Sequence, residues 1–193
     1  MKKAMLILLV AVAAVSLFVS CKKEPEVKTY QVGETGPAGG IVFYVNPNAE
    51  KDGWTYLEAA PADLEGTYLW GSHGVYGTSQ EVGTGKSNTE KLLAAKAEDS
   101  SLSFPAAEAC DSYSQGDKTD WFLPSVEELK LLYKYCSETG KGSFTADRYW
   151  SSSEENDIDS NGYFVNSSSG KANSWGRNFE EGKCSVRPIR SFN

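Results

Sequence analysis

The sequence predicts an α+β domain, because helix-period and strand-period patterns occupy different parts of the chain. Helical patterns with capping residues are grouped between residues 87 and 140, and short β-branched and aromatic runs lie on both sides of them. We expect the terminal runs to pair in an antiparallel sheet that joins both ends of the domain, with long loops between elements. The 193 residues, 40% of them hydrophobic, suffice for one such domain with its own core.

Strand patterns begin with a hairpin and resume after the helices. A glycine-rich turn, GETGPAGG, leads into a predicted strand at Ile41–Val45, and turn residues at 46–53 connect it to a second strand at 54–57. A short strand is expected at 68–70. The remaining predicted strands cover residues 149–154, 163–166, 174–179 and 185–192.

The clearest helix follows Pro124, in the stretch DWFLPSVEELKLLYKYC. Ser125 and Glu128 have the spacing of a capping box, apolar residues then recur at steps of three and four, and Gly140 is placed to end the helix. A second capping box at residues 87–90 predicts a helix through residue 97. A third helix is expected from about residue 103, with a proline in its first turn. The chain should therefore contain two to three helices.

Residues 1–20 are typical of a lipoprotein signal peptide. Lys2 and Lys3 precede an apolar run that is too short to span a membrane, and the run ends in LFVSC, which resembles a bacterial lipobox. We expect cleavage before Cys21 and acylation of Cys21, palmitate included, which anchors the chain to a membrane. Residues 21–29 would be a charged tether and residues 30–193 the domain. The cell envelope, with the outer membrane favoured, is the expected location.

Charge and cysteine content exclude several classes of protein. Loss of two lysines with the leader changes the formal charge from −7 to −9, which argues against a nucleic-acid partner. Besides Cys21 the cysteines are Cys110, Cys136 and Cys184, so an exported domain has at most one internal disulfide. With a single histidine and no CxxC motif, a zinc site is not expected.

Five motifs in order resemble one known family. These are GETGPAGGIVFYV, DWFLPSVEEL, YWSSSE, a W-x-x-x-F-x-x-G pattern from Trp175, and VRPIRSF. Together they are similar to the family named for the C-terminal domain of the Lcl collagen-like adhesin, over residues 30–192. The resemblance implies a C-type-lectin-like fold and a ligand-binding or adhesion module, since the namesake binds host polysaccharide. In many such folds a first-helix cysteine bonds a late-strand cysteine, which implies a Cys110–Cys184 disulfide, with Cys136–Cys184 as the competitor.

The ligand is expected to meet the two long loops, residues 70–85 and 154–177, because framework motifs account for the rest. Within them the candidate ligand-binding residues are Trp70, an aromatic with an expected surface role, His73, the single histidine, and Arg177, which is expected to be exposed. Trp150 and Trp175 lie in framework motifs and are expected to be buried. A glycan or a host or envelope protein is therefore the expected partner.

The chain is expected to need no cofactor and not to be an enzyme. The carbohydrate-binding calcium motifs of true C-type lectins are absent from the sequence. Asp157, Asp159 and Asn161, followed by a glycine, have the alternating oxygens of a calcium loop, but a serine stands at the twelfth position; a solvated acidic loop is favoured over a calcium site. His73 has no identifiable catalytic partner. The alternative to adhesion is a structural envelope lipoprotein that contacts another envelope protein.

Overall fold

The structure, a computed structural model, describes residues 28–142, 144–155, 161–178 and 180–193. The leader, Cys21, Asp157 and Asp159 lie outside these residues, so the predictions about them stay predictions. The described strands are β1 (Ile41–Val45), β2 (Tyr56–Ala59), β3 (Arg148–Glu154), β4 (Asn161–Asn166), β5 (Ala172–Gly176) and β6 (Ile189–Phe192). The described helices are α1 (Ala49–Asp52), α2 (Gly85–Glu98), α3 (Pro105–Asp111), α4 (Val126–Thr139) and a 3-10 helix at Glu180–Gly182.

The α+β class is confirmed, with two small antiparallel sheets where one was expected. The first sheet has the order β1–β2–β6 and the second the order β3–β4–β5. The first holds both ends of the domain, but β6 pairs with β2 and not with β1. The expected count of two to three helices is wrong for the described residues, because the turn after β1 contains the one-turn helix α1.

A long antiparallel ladder runs from one end of the domain to the other. Residues 56–59 pair with residues 192–189 in the first sheet. Beyond it, the Ala60 amide donates to the Pro188 carbonyl (2.9 Å), Tyr68 and Cys184 exchange two backbone bonds (2.8 and 3.1 Å), and the Trp70 amide donates to the Arg177 carbonyl (3.0 Å). One end of the ladder therefore lies at Tyr56 and Phe192, and the opposite end lies where the two long loops meet.

Helix α4 packs against both sheets, which explains its strong periodicity. Leu132 lies in a core cluster with residues of β1, β2 and β6, whereas Leu129 lies in one with Tyr149 and Val165 of the second sheet. The capping box is confirmed: the Ser125 hydroxyl accepts from the Glu128 amide at 3.3 Å, and the Glu128 carboxylate accepts from the Ser125 amide at 2.7 Å. Gly140 ends the helix in the left-handed region at φ 67°, also as predicted.

The capping box predicted at residues 87–90 is wrong. Helix α2 begins at Gly85, two residues earlier, and Ser87 lies in its first turn. The amides of Gly83 and Gly85 donate to the buried carboxylate of Glu128, which lies at the start of α4. A carboxylate from a distant segment thus takes the capping role that the local pattern assigned to residue 87.

None of the helices in the described part of the chain is long and apolar enough to cross a membrane.

Candidate functional site

The structure brings the two predicted ligand loops together. The amides of Trp70 and Gly71 both donate to the carbonyl of Arg177, at 3.0 and 3.3 Å. The Ser72 amide donates to Ser103 at the start of the α3 segment (2.9 Å). Residues 70–77 and the described residues around Glu154, Asn161 and Arg177 therefore form one connected end of the domain.

Glu154 and Arg177 form the buried centre of this end. The Glu154 carboxylate, 3% exposed, accepts from the amides of Tyr76 (3.0 Å) and Gly77 (2.9 Å) and lies 3.5 Å from the Arg177 guanidinium. Arg177 also donates to the carbonyls of Asn161 (2.8 Å) and Gly74 (2.7 Å). The expected exposure of Arg177 is wrong, because its charge is fully buried and compensated by these groups.

Trp70 is equally a part of the interior. Its ring is 1% exposed, its indole N–H donates to the Ser151 carbonyl at 2.7 Å, and the Arg177 guanidinium lies 4.3 Å from the ring centre. Gly162 allows this position, because a Cβ there would lie 2.6 Å from the ring. The prediction that Trp70 has a surface role is therefore wrong.

Two further buried glutamates, Glu58 and Glu128, bind amides of glycine-rich segments in the same way, a role that their local sequence patterns did not predict. The Glu58 carboxylate accepts from the amides of Ala38 (3.0 Å) and Gly40 (2.8 Å) and pairs with Arg190 at 3.0 Å. A glutamate inside the apolar strand β2 was the available signal, because a buried charge needs dedicated partners.

Glu128 is the third such glutamate, and it joins the start of α2 to the start of α4. Its carboxylate accepts from the amides of Gly83 (2.9 Å) and Ser125 (2.7 Å). Burial raises the pKa of Glu128 to about 7, although these N–H donors act in the opposite direction. Glu154 and Glu128 thus bind backbone amides of the first long loop, at residues 76–77 and at Gly83, whereas Glu58 binds the glycine-rich turn before β1.

His73 is exposed at the tip of the first loop. Its Nε2 lies 3.0 Å from the Asn178 side-chain oxygen, and its carbonyl accepts from the Tyr76 hydroxyl at 2.6 Å. A small cavity of about 150 Å³ lies beside Asn178, between Leu69 and Pro105. Val75, 73% exposed, lies on the same loop.

Trp175 is the exposed tryptophan of this end, contrary to the prediction that it is buried; Trp150 is buried as predicted. Trp175 lies on β5, the edge strand of the second sheet, and is 44% exposed. The Arg148 guanidinium lies 5.6 Å from its ring centre. Arg148 also lines a cavity of about 170 Å³ with Thr67 and Lys183. We call His73, Val75, Trp175 and Asn178, together with the Arg148 side chain that reaches Trp175 from the start of β3, the loop surface.

A larger cavity, about 390 Å³, lies at residues 61–66, and Asp63, Thr145 and Arg187 of its lining bond to one another or to Tyr149. The Asp63 carboxylate accepts from Tyr149 (2.5 Å), from Thr145 (2.6 Å) and from Arg187 (2.6 Å). The Tyr149 hydroxyl accepts in turn from the amides of Thr145 (2.6 Å) and Ala146 (2.8 Å). This network has the properties of a structural support rather than of a ligand site.

The expected disulfide is not formed. Cys110, Cys136 and Cys184 are all free and buried. Cys110 and Cys184 belong to the same apolar core cluster, where burial raises the pKa of Cys184 to about 12 and that of Cys110 well above its ordinary value. They behave as small apolar core residues with unreactive thiols.

Two of the three candidate calcium ligands, Asp157 and Asp159, lie outside the described residues, so the preference for a solvated acidic loop stays a prediction. The third candidate ligand, Asn161, donates through its side-chain amide to the Glu155 carboxylate at 3.0 Å, and its backbone carbonyl accepts from Arg177 at 2.8 Å. Within the described residues no three histidine, cysteine or acidic side chains are grouped as a metal would require.

The fold and the loop surface define an α+β domain in which residues of two long loops meet at one end. No family model and no curated protein matches the chain. In fold it is similar to a fimbrial protein from Bacteroides ovatus, with a TM-score of 0.54 and 15% identity. The match covers 81% of this chain and 45% of that chain, so this chain spans less than half of the fimbrial protein. At this identity the similarity shows the fold alone.

Proposed function

We propose that this protein is a lipid-anchored envelope protein whose domain binds a ligand at the loop surface, with glycans or host matrix proteins as the ligand class. The observation that carries the proposal is Trp175, 44% exposed on an edge strand beside Arg148. A half-exposed indole offers an apolar face to a sugar ring or an aromatic side chain, and a neighbouring guanidinium offers donors to hydroxyl or carboxylate groups.

Three further features support this function. The leader pattern that ends at Cys21 favours export and acylation. Both ends of the domain lie in one sheet, and the long loops lie at the opposite end of the ladder. This arrangement is compatible with the C-type-lectin-like fold that the family resemblance implies. The fimbrial similarity is compatible with an adhesion module but, as a similarity of fold, does not specify a ligand.

One observation favours the alternative, a structural envelope protein that binds another protein. The Asn166 amide donates to the Lys171 carbonyl (3.0 Å), so in this register the backbone groups of Ala172 and Ser174 point away from β4. Among the described residues these groups have no backbone partner. An extended strand of a partner protein could pair with this open edge.

The test is binding of the full chain, purified in detergent, to a panel of glycans and matrix proteins, with calcium and then with a chelator. We expect Trp175→Ala to weaken a panel hit about tenfold or more, and Trp175→Phe to retain most of the affinity. Val32→Ala is the control for loss of an exposed apolar side chain outside the loop surface, since Val32 is 50% exposed and the neighbouring Gly33 amide donates to Val42 of β1.

The outcomes separate the candidates. A hit that Trp175→Ala leaves unchanged would contradict the loop surface as the binding site. A chelator-sensitive hit that is lost on Asp157→Asn would assign binding to a calcium loop. The structural alternative would be favoured if the panel gives no hit and the chain instead captures an envelope protein. Ser174→Pro should then abolish this capture, because proline removes an outward-pointing N–H donor of the edge strand β5.

A further inference from the structure

We propose that the end of the domain opposite the loop surface rests on the lipid bilayer and so presents the loop surface away from it. This inference rests on the proposed lipid anchor at Cys21. The contact end, called the N-terminal face, consists of Lys28, Tyr30, Val32, Val45 and Phe192.

The position of the N-terminal face follows from the ladder. Val45 pairs with Tyr56, and Tyr56 pairs with Phe192, at the end of the first sheet that is remote from Trp70 and Arg177. The Tyr30 ring packs edge-on against the rings of Tyr56 (5.5 Å) and Phe192 (5.2 Å). The described chain therefore begins at the base of the ladder, whereas the loop surface lies at its top.

The composition of this face suits a bilayer interface. Val32 and Val45 are 50% and 40% exposed, and they are two of the four large hydrophobic side chains that are exposed in the described residues. Tyr30 and Phe192 are partly exposed, and the Lys28 ammonium lies 4.5 Å from the Tyr30 ring centre. Partly exposed aromatic rings with a long cationic side chain are typical of the headgroup region, where the apolar parts are buried and the charge stays hydrated.

The tether between Cys21 and the N-terminal face is short, so the bilayer is the expected contact of this face. Seven residue steps separate Cys21 from Lys28, so even a fully extended tether places Lys28 within about 25 Å of an acylated Cys21. A tether this short gives the bilayer a high effective concentration at this face, so a small apolar contact can fix the orientation.

Electrostatic attraction is not the cause of the contact. Lys28 and Lys51 are opposed by Glu50 and Asp52 of α1 and by Glu34, whose carboxylate accepts from the Gln31 amide beside Tyr30, which leaves one net negative charge among these five. We therefore expect the contact on zwitterionic phosphatidylcholine, with little dependence on salt.

The experiment places a nitroxide label on the full acylated chain in phosphatidylcholine vesicles, through Val45→Cys or, as the matched control, Val75→Cys. Val75 is even more exposed but lies on the loop surface. The native described cysteines are buried, and the unsubstituted chain measures their background labelling. Mass measurement of the purified chain establishes whether acyl chains are present.

We expect the label at position 45 to collide at least about twofold less with an aqueous nickel chelate than the label at 75, while it stays accessible to oxygen dissolved in the lipid. Equal nickel accessibility at both positions in an acylated chain would overturn this inference and leave the anchor intact. Shielding of position 45 from both reagents would overturn it in favour of a protein contact. A chain without acyl groups would overturn the anchor together with this inference.

Discussion

Two tryptophans at the same end of the domain should respond in opposite ways to truncation, and this contrast tests the assignment of the loop surface. Trp70 is 1% exposed and holds the two loops together, whereas Trp175 is 44% exposed on an edge strand. Trp70→Ala should therefore destabilise the fold, whereas Trp175→Ala should reduce ligand binding and leave the fold intact.

The magnitudes follow from burial. Loss of a fully buried tryptophan costs about 3–5 kcal/mol of unfolding free energy, and the Ser151 carbonyl also loses its 2.7 Å donor, which adds about 1 kcal/mol. For Trp175→Ala we expect a loss below about 1 kcal/mol, as for other exposed positions. Trp70→Phe keeps most of the ring but not the N–H, so its cost should lie between the two.

The assay is urea unfolding followed by far-ultraviolet circular dichroism at constant pH and protein concentration. Trp70→Ala with a loss below about 1 kcal/mol would refute the buried, loop-joining role of Trp70. A loss above about 2 kcal/mol for Trp175→Ala would show that Trp175 is a core residue and would remove the basis of the proposed ligand surface.

Three more predictions follow from the packing around the core. Gly162→Ala should lower the urea midpoint, because the added methyl group lies 2.6 Å from the Trp70 ring; a midpoint equal to that of the unchanged chain would contradict this packing. Burial raises the folded-state pKa of Glu128 from 4.5 to about 7. The contribution of protonated Glu128 to the free energy of unfolding is therefore fully present below pH 4.5, and about 3 kcal/mol of it is lost as the pH rises to 7. Unfolding measured between pH 5 and 7 should show this decline in the unchanged chain but not in Glu128→Gln, and parallel profiles would exclude it. Thiol-specific reagents should modify Cys110 and Cys184 after denaturation but not before, and a native mass lower by two hydrogens would instead reveal a disulfide.

Local patterns predicted several elements well. The capping box at Ser125 and Glu128, the end of α4 at Gly140 and the strand Ile41–Val45 all agree with the structure. These features depend on residues within a few positions of each other, so the chemistry that forms them is present in the local sequence. The start of α2 was misplaced because Glu128, far along the chain, supplies the acceptor for its first amides.

The candidate site was predicted at the level of loops but not of side chains. The sequence selected residues 70–85 and 154–177, and the structure brings the two loops together. It assigned exposure to Trp70 and Arg177 and burial to Trp175, and all three assignments are wrong. Arg177 can be buried because Glu154 and two carbonyls from other segments compensate its charge.

The sequence by itself determined the α+β class, the principal helix and the position of the long loops, because periodicity, caps and turn residues act over short distances. The tertiary structure alone decided which aromatic rings face solvent and where the charged groups of the interior find partners. The physical reason is that burial depends on what packs against a residue. Trp70 is internal because Gly162 leaves room for its ring, and Trp175 is exposed because its strand is the last in its sheet.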